Sequence, residues 1–347
     1  MPAFFRFSLL LCCALLWTGG EAAAQSGGFA GAYTRMGFGP RGMGMGNAMT
    51  AVYQQGVYAH YNPALAARVT ETEVNFSASS MSLDRSLNMA SVAFVLPPTA
   101  GLNIGLLHAG VQDFDGRNSS GVPTETFSTN ELSGFIAFGL NPSERLSLGV
   151  TAKLLYANYF DELDNPLGFG LDAGFLYRFN EHLSLGGAAQ DLFSGYTWNT
   201  SQIYGGSLSG STDDFPTRFK LGLAYEFPIY GLLLSTEYET RSQSSELINR
   251  EVSTIGGQPD IIERSETLTT GSSQFRIGSA WEAHERITLR AGWQVGDLDF
   301  VSATQQPFAG FSLSLPLQKI NSYIDYAFTR EAEGISYMHV FALRLDL

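Results

Sequence analysis

Phe219-Lys220-Leu221-Gly222-Leu223-Ala224-Tyr225-Glu226-Phe227 places five apolar residues on one side of an extended chain and Lys220, Gly222, Ala224 and Glu226 on the other. Side chains of a β-strand alternate between two faces, so this spacing predicts a strand with one apolar and one polar face. The same split sets Ile287, Leu289, Ala291 and Trp293 against Arg290 and Gln294, and Leu146, Leu148, Val150, Ala152 and Leu154 against Lys153. Strands of a soluble β-sandwich alternate as well, but most are about 5 to 6 residues long. These runs reach about ten, the length that a tilted strand needs to cross a bilayer. With the apolar set facing lipid, an Arg or Lys on that face at mid-bilayer would cost about 2–4 kcal/mol, which forces the charged set into a lumen.

The pattern recurs as hairpins. The clearest run from Leu132 to Tyr156 around Asn141-Pro142-Ser143-Glu144, from Phe169 to Phe193 around Asn180-Glu181-His182, and from Phe275 to Val295 around Ala283-His284-Glu285. Two more turn at Pro228 and at Pro316, and a sixth spans Met89 to Val111 with its turn at Pro97-Pro98. Adding a leading strand over 73–83 and a closing strand over 337–347 gives about fourteen, an even number as in bacterial barrels. The expected fold is all-β: a transmembrane antiparallel β-barrel with a small N-terminal hatch or plug. Short turns mark the periplasmic side of such barrels and long loops the exterior. The long loops are expected at 112–130, 157–168, 194–217, 240–273, 296–306 and 329–336. The last strand puts Tyr337, His339, Phe341, Leu343, Leu345 and Leu347 on one face.

Arg6, an apolar run from Phe7 to Trp17 and Ala22-Ala23-Ala24 read as a secretory signal peptide over 1–24, with export as the consequence. Both cysteines, Cys12 and Cys13, fall inside that run, so the exported chain is expected to carry no thiol, disulfide or Cys-ligated metal. No later stretch offers eighteen uninterrupted apolar residues, which argues against a helical membrane protein. Charged residues make up 15% of the chain, against about 25% in soluble domains. The 33 acidic against 20 basic residues give a net charge of −13, which disfavours nucleic acid as a partner. The expected location is the bacterial outer membrane, with its lipid as the first partner.

Residues 25–68 form a separate segment before the barrel at 69–347. It contains Gly37-Phe38-Gly39-Pro40-Arg41-Gly42-Met43-Gly44-Met45-Gly46-Asn47-Ala48 and then Tyr61-Asn62-Pro63-Ala64-Leu65-Ala66. These two elements resemble the N-terminal signature of the FadL-like outer-membrane barrels, and within them the PorV/PorQ branch, where a G-A-R-x-x-G-M-G-x-A element precedes a short helix and a W/Y-N-P-A motif. The resemblance implies a hatch inside the barrel built on Arg41, Gly42, Gly44, Gly46, Asn47, Asn62, Pro63 and Ala64. Between the two elements the branch carries acidic residues, where this chain has Tyr53-Gln54-Gln55-Gly56-Val57-Tyr58. The glycine run also fits a bare dinucleotide fingerprint, but no strand precedes it and no acidic residue follows at about twenty positions.

No catalytic grouping stands out, and no cofactor is expected. His60, His108, His182, His284 and His339 are scattered without zinc spacing. No G-x-S-x-G elbow is present. Asp113 with Asp115, and Asp161, Glu162 and Asp164, form small acidic groups in expected loops. The lumen-facing candidates are Lys153, Arg178, Lys220, Glu226, Arg276, Glu282 and Arg290. Two non-enzymatic functions follow from the resemblance. One is a PorV-like component linked to type IX secretion, meeting secretion-system proteins or exported cargo through its outer loops. The other is a FadL-like transporter for long-chain fatty acids or other hydrophobic solutes. The Ser, Thr, Gly and acidic composition of the expected outer loops favours the protein partner.

Overall fold

The computed structural model describes residues 30–56, 59–159, 164–199, 211–255, 258–296, 304–317, 320–331 and 336–347. The strands in chain order are β1 (Glu73–Ser80), β2 (Arg85–Leu96), β3 (Ala100–Arg117), β4 (Pro123–Leu140), β5 (Leu146–Asn158), β6 (Leu167–Arg178), β7 (Leu183–Leu192) and β8 (Gly195–Trp198). They continue as β9 (Ser211–Asp214), β10 (Thr217–Phe227), β11 (Leu232–Ile255), β12 (Gln258–His284), β13 (Ile287–Gly296), β14 (Thr304–Leu317), β15 (Ile320–Arg330) and β16 (Tyr337–Asp346). Fourteen of these close an antiparallel barrel, in which β1 pairs with β16 from Glu73↔Asp346 to Ser80↔His339. The hairpin β8–β9 leaves the wall, so β7 pairs directly with β10.

The period-two reading of faces holds through the wall. In β10, Phe219 and Leu221 are 51% and 54% exposed, while Lys220 is buried. In β5, Leu148, Val150 and Leu154 point outward and Lys153 inward, and β16 exposes Phe341 and Leu343 around the buried Val340 and Ala342. This continuous outward apolar surface on a barrel without free edges is the arrangement that a bilayer selects, because every backbone polar group in the lipid finds a neighbouring strand. The protein is an outer-membrane β-barrel.

Three details differ from the sequence reading. Leu83 and Asp84 adopt φ of 58° and 52°, which turns the chain out of the sheet and ends β1 at Ser80. Pro316 pairs with Asn321 inside the β14–β15 ladder, so that hairpin reverses beyond Leu317. The third is the largest: 112–130 and 240–273 are mostly strand. β3 and β4 pair out to Arg117↔Pro123, and β11 and β12 to Ile255↔Gln258. In the outer part of β3 and β4 nearly every side chain from 112 to 126 is exposed, so both faces of that ribbon meet water and the apolar alternation disappears while the backbone ladder continues. Composition alone then looks like a loop.

Leu221→Arg, on the lipid face of β10, is expected to lower barrel stability by about 2–4 kcal/mol. Urea titration of refolding into lipid vesicles measures this.

Candidate functional site

Residues 30–56 and 59–68 lie inside the barrel and are mostly buried. Their helix α1 (Gly39–Gly44) has Pro40 in its first turn, where a missing N–H is harmless. The chain then reverses at Asn47, whose N–H donates to the Gly42 carbonyl at 2.9 Å and whose Oδ1 accepts from the Tyr61 hydroxyl at 2.7 Å. Pro63–Arg68 forms a 3₁₀ turn. Asn62 caps it by accepting from the Ala64 N–H at 3.0 Å, and its Nδ2 donates to the Thr50 carbonyl at 2.7 Å and to the Phe175 carbonyl of β6 at 2.9 Å.

Glycines of the wall let this segment touch the strands through its backbone. A Cβ on Gly101 would fall 1.9 Å from the Ala66 carbonyl oxygen, on Gly139 2.3 Å from the Ala67 nitrogen, and on Gly149 2.3 Å from the Pro63 carbonyl carbon. On the opposite wall, a Cβ on Gly278 would meet the Met45 carbonyl oxygen at 2.3 Å, and on Gly292 the Gly46 nitrogen at 2.1 Å. The plug is therefore seated on both sides, and no side chain larger than hydrogen fits at these points.

The rest of the lumen divides by chemistry. Around β2, β3, β4 and β16, inward Leu87, Met89, Leu107, Phe135 and Val340 pack on Met43, Met45, Met49 and Tyr61 of the plug. Around β5 to β12 the wall is ionic. Lys153 lies 2.8 Å from both Asp172 and Asp191, and Arg218 2.6 Å from Asp191. Arg276 meets Glu237 at 2.6 Å and Glu239 at 2.9 Å, Arg241 meets Glu239 at 2.6 Å, and Lys220 stands 3.6 Å from Glu239. Glu237 also accepts the Thr50 N–H at 2.9 Å, which ties the network to the plug. His60 of the plug is buried beside it. Burial first, then Lys153, Arg218 and Lys220, push its imidazole well below the ordinary range, so it stays neutral.

A second ion cluster fixes α1 at the short-turn end. Arg41 pairs with Glu73 and stands 3.7 Å from Asp325, and Arg344, stacked 3.5 Å from the Tyr323 ring centroid, pairs with Asp346 at 2.9 Å.

Among the described residues a cavity opens on each side of the plug. The periplasmic one, about 670 Å³, is polar and has Arg41, Arg290, Glu282 and Arg344 among its walls. The exterior one, about 310 Å³, is lined by Ala32, Arg35, Met36 and Asn47 of the plug and by Met81, Arg85, Arg241, Gln274, Gln294, Gln306, Thr329, Glu331 and Met338 of the barrel. Beside it β8–β9 folds inward, with Tyr196 and Phe215 buried against Leu155 and Ala157 and the Tyr196 hydroxyl 3.4 Å from that of Tyr33.

The sequence candidates separate accordingly. Lys153, Lys220 and Arg276 sit in the ionic wall, whereas Arg290 and Glu282 border the periplasmic cavity, where Glu282 is exposed. Arg178 and Glu226 are half-buried at the short-turn rim, where Arg178 donates to the Glu144 carbonyl at 3.0 Å and its guanidinium lies 5.5 Å from the Tyr53 ring centroid. Of the hatch residues, Asn47 faces the exterior cavity and Arg41 the periplasmic one. Gly42 lies against the Tyr61 ring, Gly44 against Arg290 and Gly310, and Gly46 against Gly292 and Trp293. Pro63 and Ala64 rest on Gly149. The other exterior-cavity residues, Met36 and Arg85 among them, carry no motif, and only the closed barrel brings them together. Among the described residues, no group of three or more His, Cys, Asp or Glu could hold a metal ion. Asp161 and Glu162 lie outside the described residues.

No protein-family model and no curated protein matches the sequence. Solved structures do match the fold. The toluene transporter TodX of Pseudomonas putida superimposes with a TM-score of 0.58 at 13% identity, over 89% of this chain and 96% of that one. The monoaromatic hydrocarbon channel CymD gives 0.56 at 13%, over 89% and 96%, and a Pseudomonas aeruginosa FadL homologue 0.54 at 11%, over 94% and 99%. The fold is similar to that of these solved outer-membrane proteins.

Removing Arg41 leaves Glu73 and Asp325 buried with only their longer contacts to Arg344, at 3.9 and 4.0 Å. Arg41→Ala is expected to destabilise the plug by about 3–5 kcal/mol and to raise single-channel conductance in planar bilayers. Gly149→Val should raise conductance by a steric route while Gly134→Ala, whose Cβ would meet only Leu106 Cδ1 at an ordinary 3.9 Å, leaves it unchanged.

Proposed function

We propose that the protein is an outer-membrane channel for a hydrophobic or amphiphilic small molecule. The observation that carries this reading is the exterior cavity. A plug seated on the wall blocks the lumen at mid-height, and above it a space of about 310 Å³ remains for a single small molecule. An open diffusion pore has no use for such a bulkhead. The shared architecture with TodX and CymD, described as channels for toluene and monoaromatic hydrocarbons, supports the same class of cargo.

The reading as a PorV-like secretion component rests on a different observation, the paired strands of β3–β4 and β11–β12 that continue past the membrane-length part of the wall. Such ribbons offer surface to a protein partner. They leave the cavity without a role, however, and the polar composition that favoured a partner belongs to strands and not to binding loops. The channel is therefore the better account.

Organic extraction of the barrel from its native membrane, with mass spectrometry in parallel with a cross-linking pull-down, tests the choice. The expected result is a small apolar or amphiphilic molecule at near-stoichiometric level. Recovery of exported proteins or secretion machinery with no such molecule would overturn it.

A further inference from the structure

We infer that the exterior cavity selects compact aromatic carboxylates over neutral hydrocarbons and long-chain fatty acids. The inference rests on the channel reading above and deepens it.

The charge of the lining comes first. Three guanidinium groups converge from separate elements: Arg35 from the plug turn Ala32–Arg35, Arg85 from the start of β2 and Arg241 from β11. One carboxylate, Glu331, faces them. Glu331 lies 2.6 Å from Arg85 and also accepts the Ser82 N–H at 2.8 Å, while Arg241 is held 2.6 Å from Glu239. Arg35 donates to the Ala30 carbonyl at 2.9 Å and the Gly31 carbonyl at 3.2 Å. Burial, then Arg241 and Arg218, push the Arg35 guanidinium below its usual range, to about 9, which leaves it charged at neutral pH in an electropositive place. A neutral hydrocarbon entering here would strip water from these groups and return no hydrogen bond. A carboxylate returns charge-assisted bonds, and the planar fork of Arg suits it.

The rest of the lining favours an aromatic body. Met36, Met81 and Met338 all border the cavity, and thioether sulfur makes favourable contacts with aromatic ring edges. A guanidinium is in turn attracted to a ring face. Size favours a compact body over a long alkyl chain. At about 310 Å³ the space sits at the lower end of the roughly 300–1,000 Å³ range of small-molecule sites.

The test is equilibrium dialysis of the folded barrel in detergent with three probes: 2-naphthoate, naphthalene and octadecanoate. Arg35→Gln and Arg85→Gln are run beside the native chain, with heat-modifiable migration as the check that each barrel is folded. The expected result is saturable binding of 2-naphthoate alone, competed by benzoate and weakened at least tenfold in Arg35→Gln, with Arg35→Lys in between. Tighter binding of naphthalene or octadecanoate would overturn the selectivity and leave the channel standing. Unchanged 2-naphthoate binding in both Gln variants would also overturn it, by placing the ligand elsewhere. If none of the probes binds and none is taken up by cells carrying the barrel, the channel reading fails together with the inference.

Discussion

The backbone of the plug lies directly on the backbone of the wall, and the remainder of the lumen is arranged around that contact. Gly101, Gly139 and Gly149 are register partners from β3 to β4 to β5, and Gly149 pairs in turn with Gly174 of β6. The result is a line of four positions without side chains across four strands, at right angles to them. The turn that begins at Asn62 occupies this line, and Gly278 and Gly292, also register partners, receive Met45 and Gly46 on the other side. Any β-carbon there would push the plug toward the centre of the barrel. The seat therefore fixes where the plug is and, by subtraction, where the two cavities are.

Electrostatics sets the orientation on that seat. Charged side chains buried in a lumen are tolerated when each has a partner, and here the partners bind the plug at two separate places on the wall. Glu237 receives the Thr50 N–H while it pairs with Arg276, and Arg41 reaches Glu73 and Asp325 on β1 and β15. Elsewhere, plug methionines bury against apolar strands, each worth about 1.5–3 kcal/mol when fully removed from water. The plug is thus held by directional contacts at two places on the wall and by packing that accepts small shifts between them.

The barrel was legible because its signal is repeated. Lys220 between Phe219 and Leu221, Lys153 between Ala152 and Leu154, and Arg290 between Leu289 and Ala291 each report the same two faces, and fourteen noisy copies average to a clear fold. The plug was legible only through the resemblance carried by the glycine run over 37–48 and by Asn62-Pro63-Ala64. The cavity was not legible. Arg35, Arg85, Arg241, Glu331 and Met338 come from five places separated by up to about three hundred residues, and their meeting depends on barrel closure, a long-range fact with no local spacing. The outer hairpins failed for the opposite reason, since local composition there resembles a loop although β11 and β12 pair across 24 register steps.

Attachment of the plug is uneven, and the unevenness coincides with the cavity. Residues 39–51 and 62–68 rest on wall glycines, where displacement means moving backbone against backbone. The turn Ala32–Arg35 and Met36 are held differently, by the Tyr33–Tyr196 hydroxyl contact, the Phe215 ring over Gly31 and the Asn47 Nδ2 donation to the Met36 carbonyl at 3.3 Å. Side chains change rotamer far more readily than seated backbone shifts in a close-packed interior. A molecule arriving from the exterior consequently meets the most adaptable part of the plug, backed by its most rigid part. That combination places adaptable side chains around the exterior cavity and seated backbone directly beneath it.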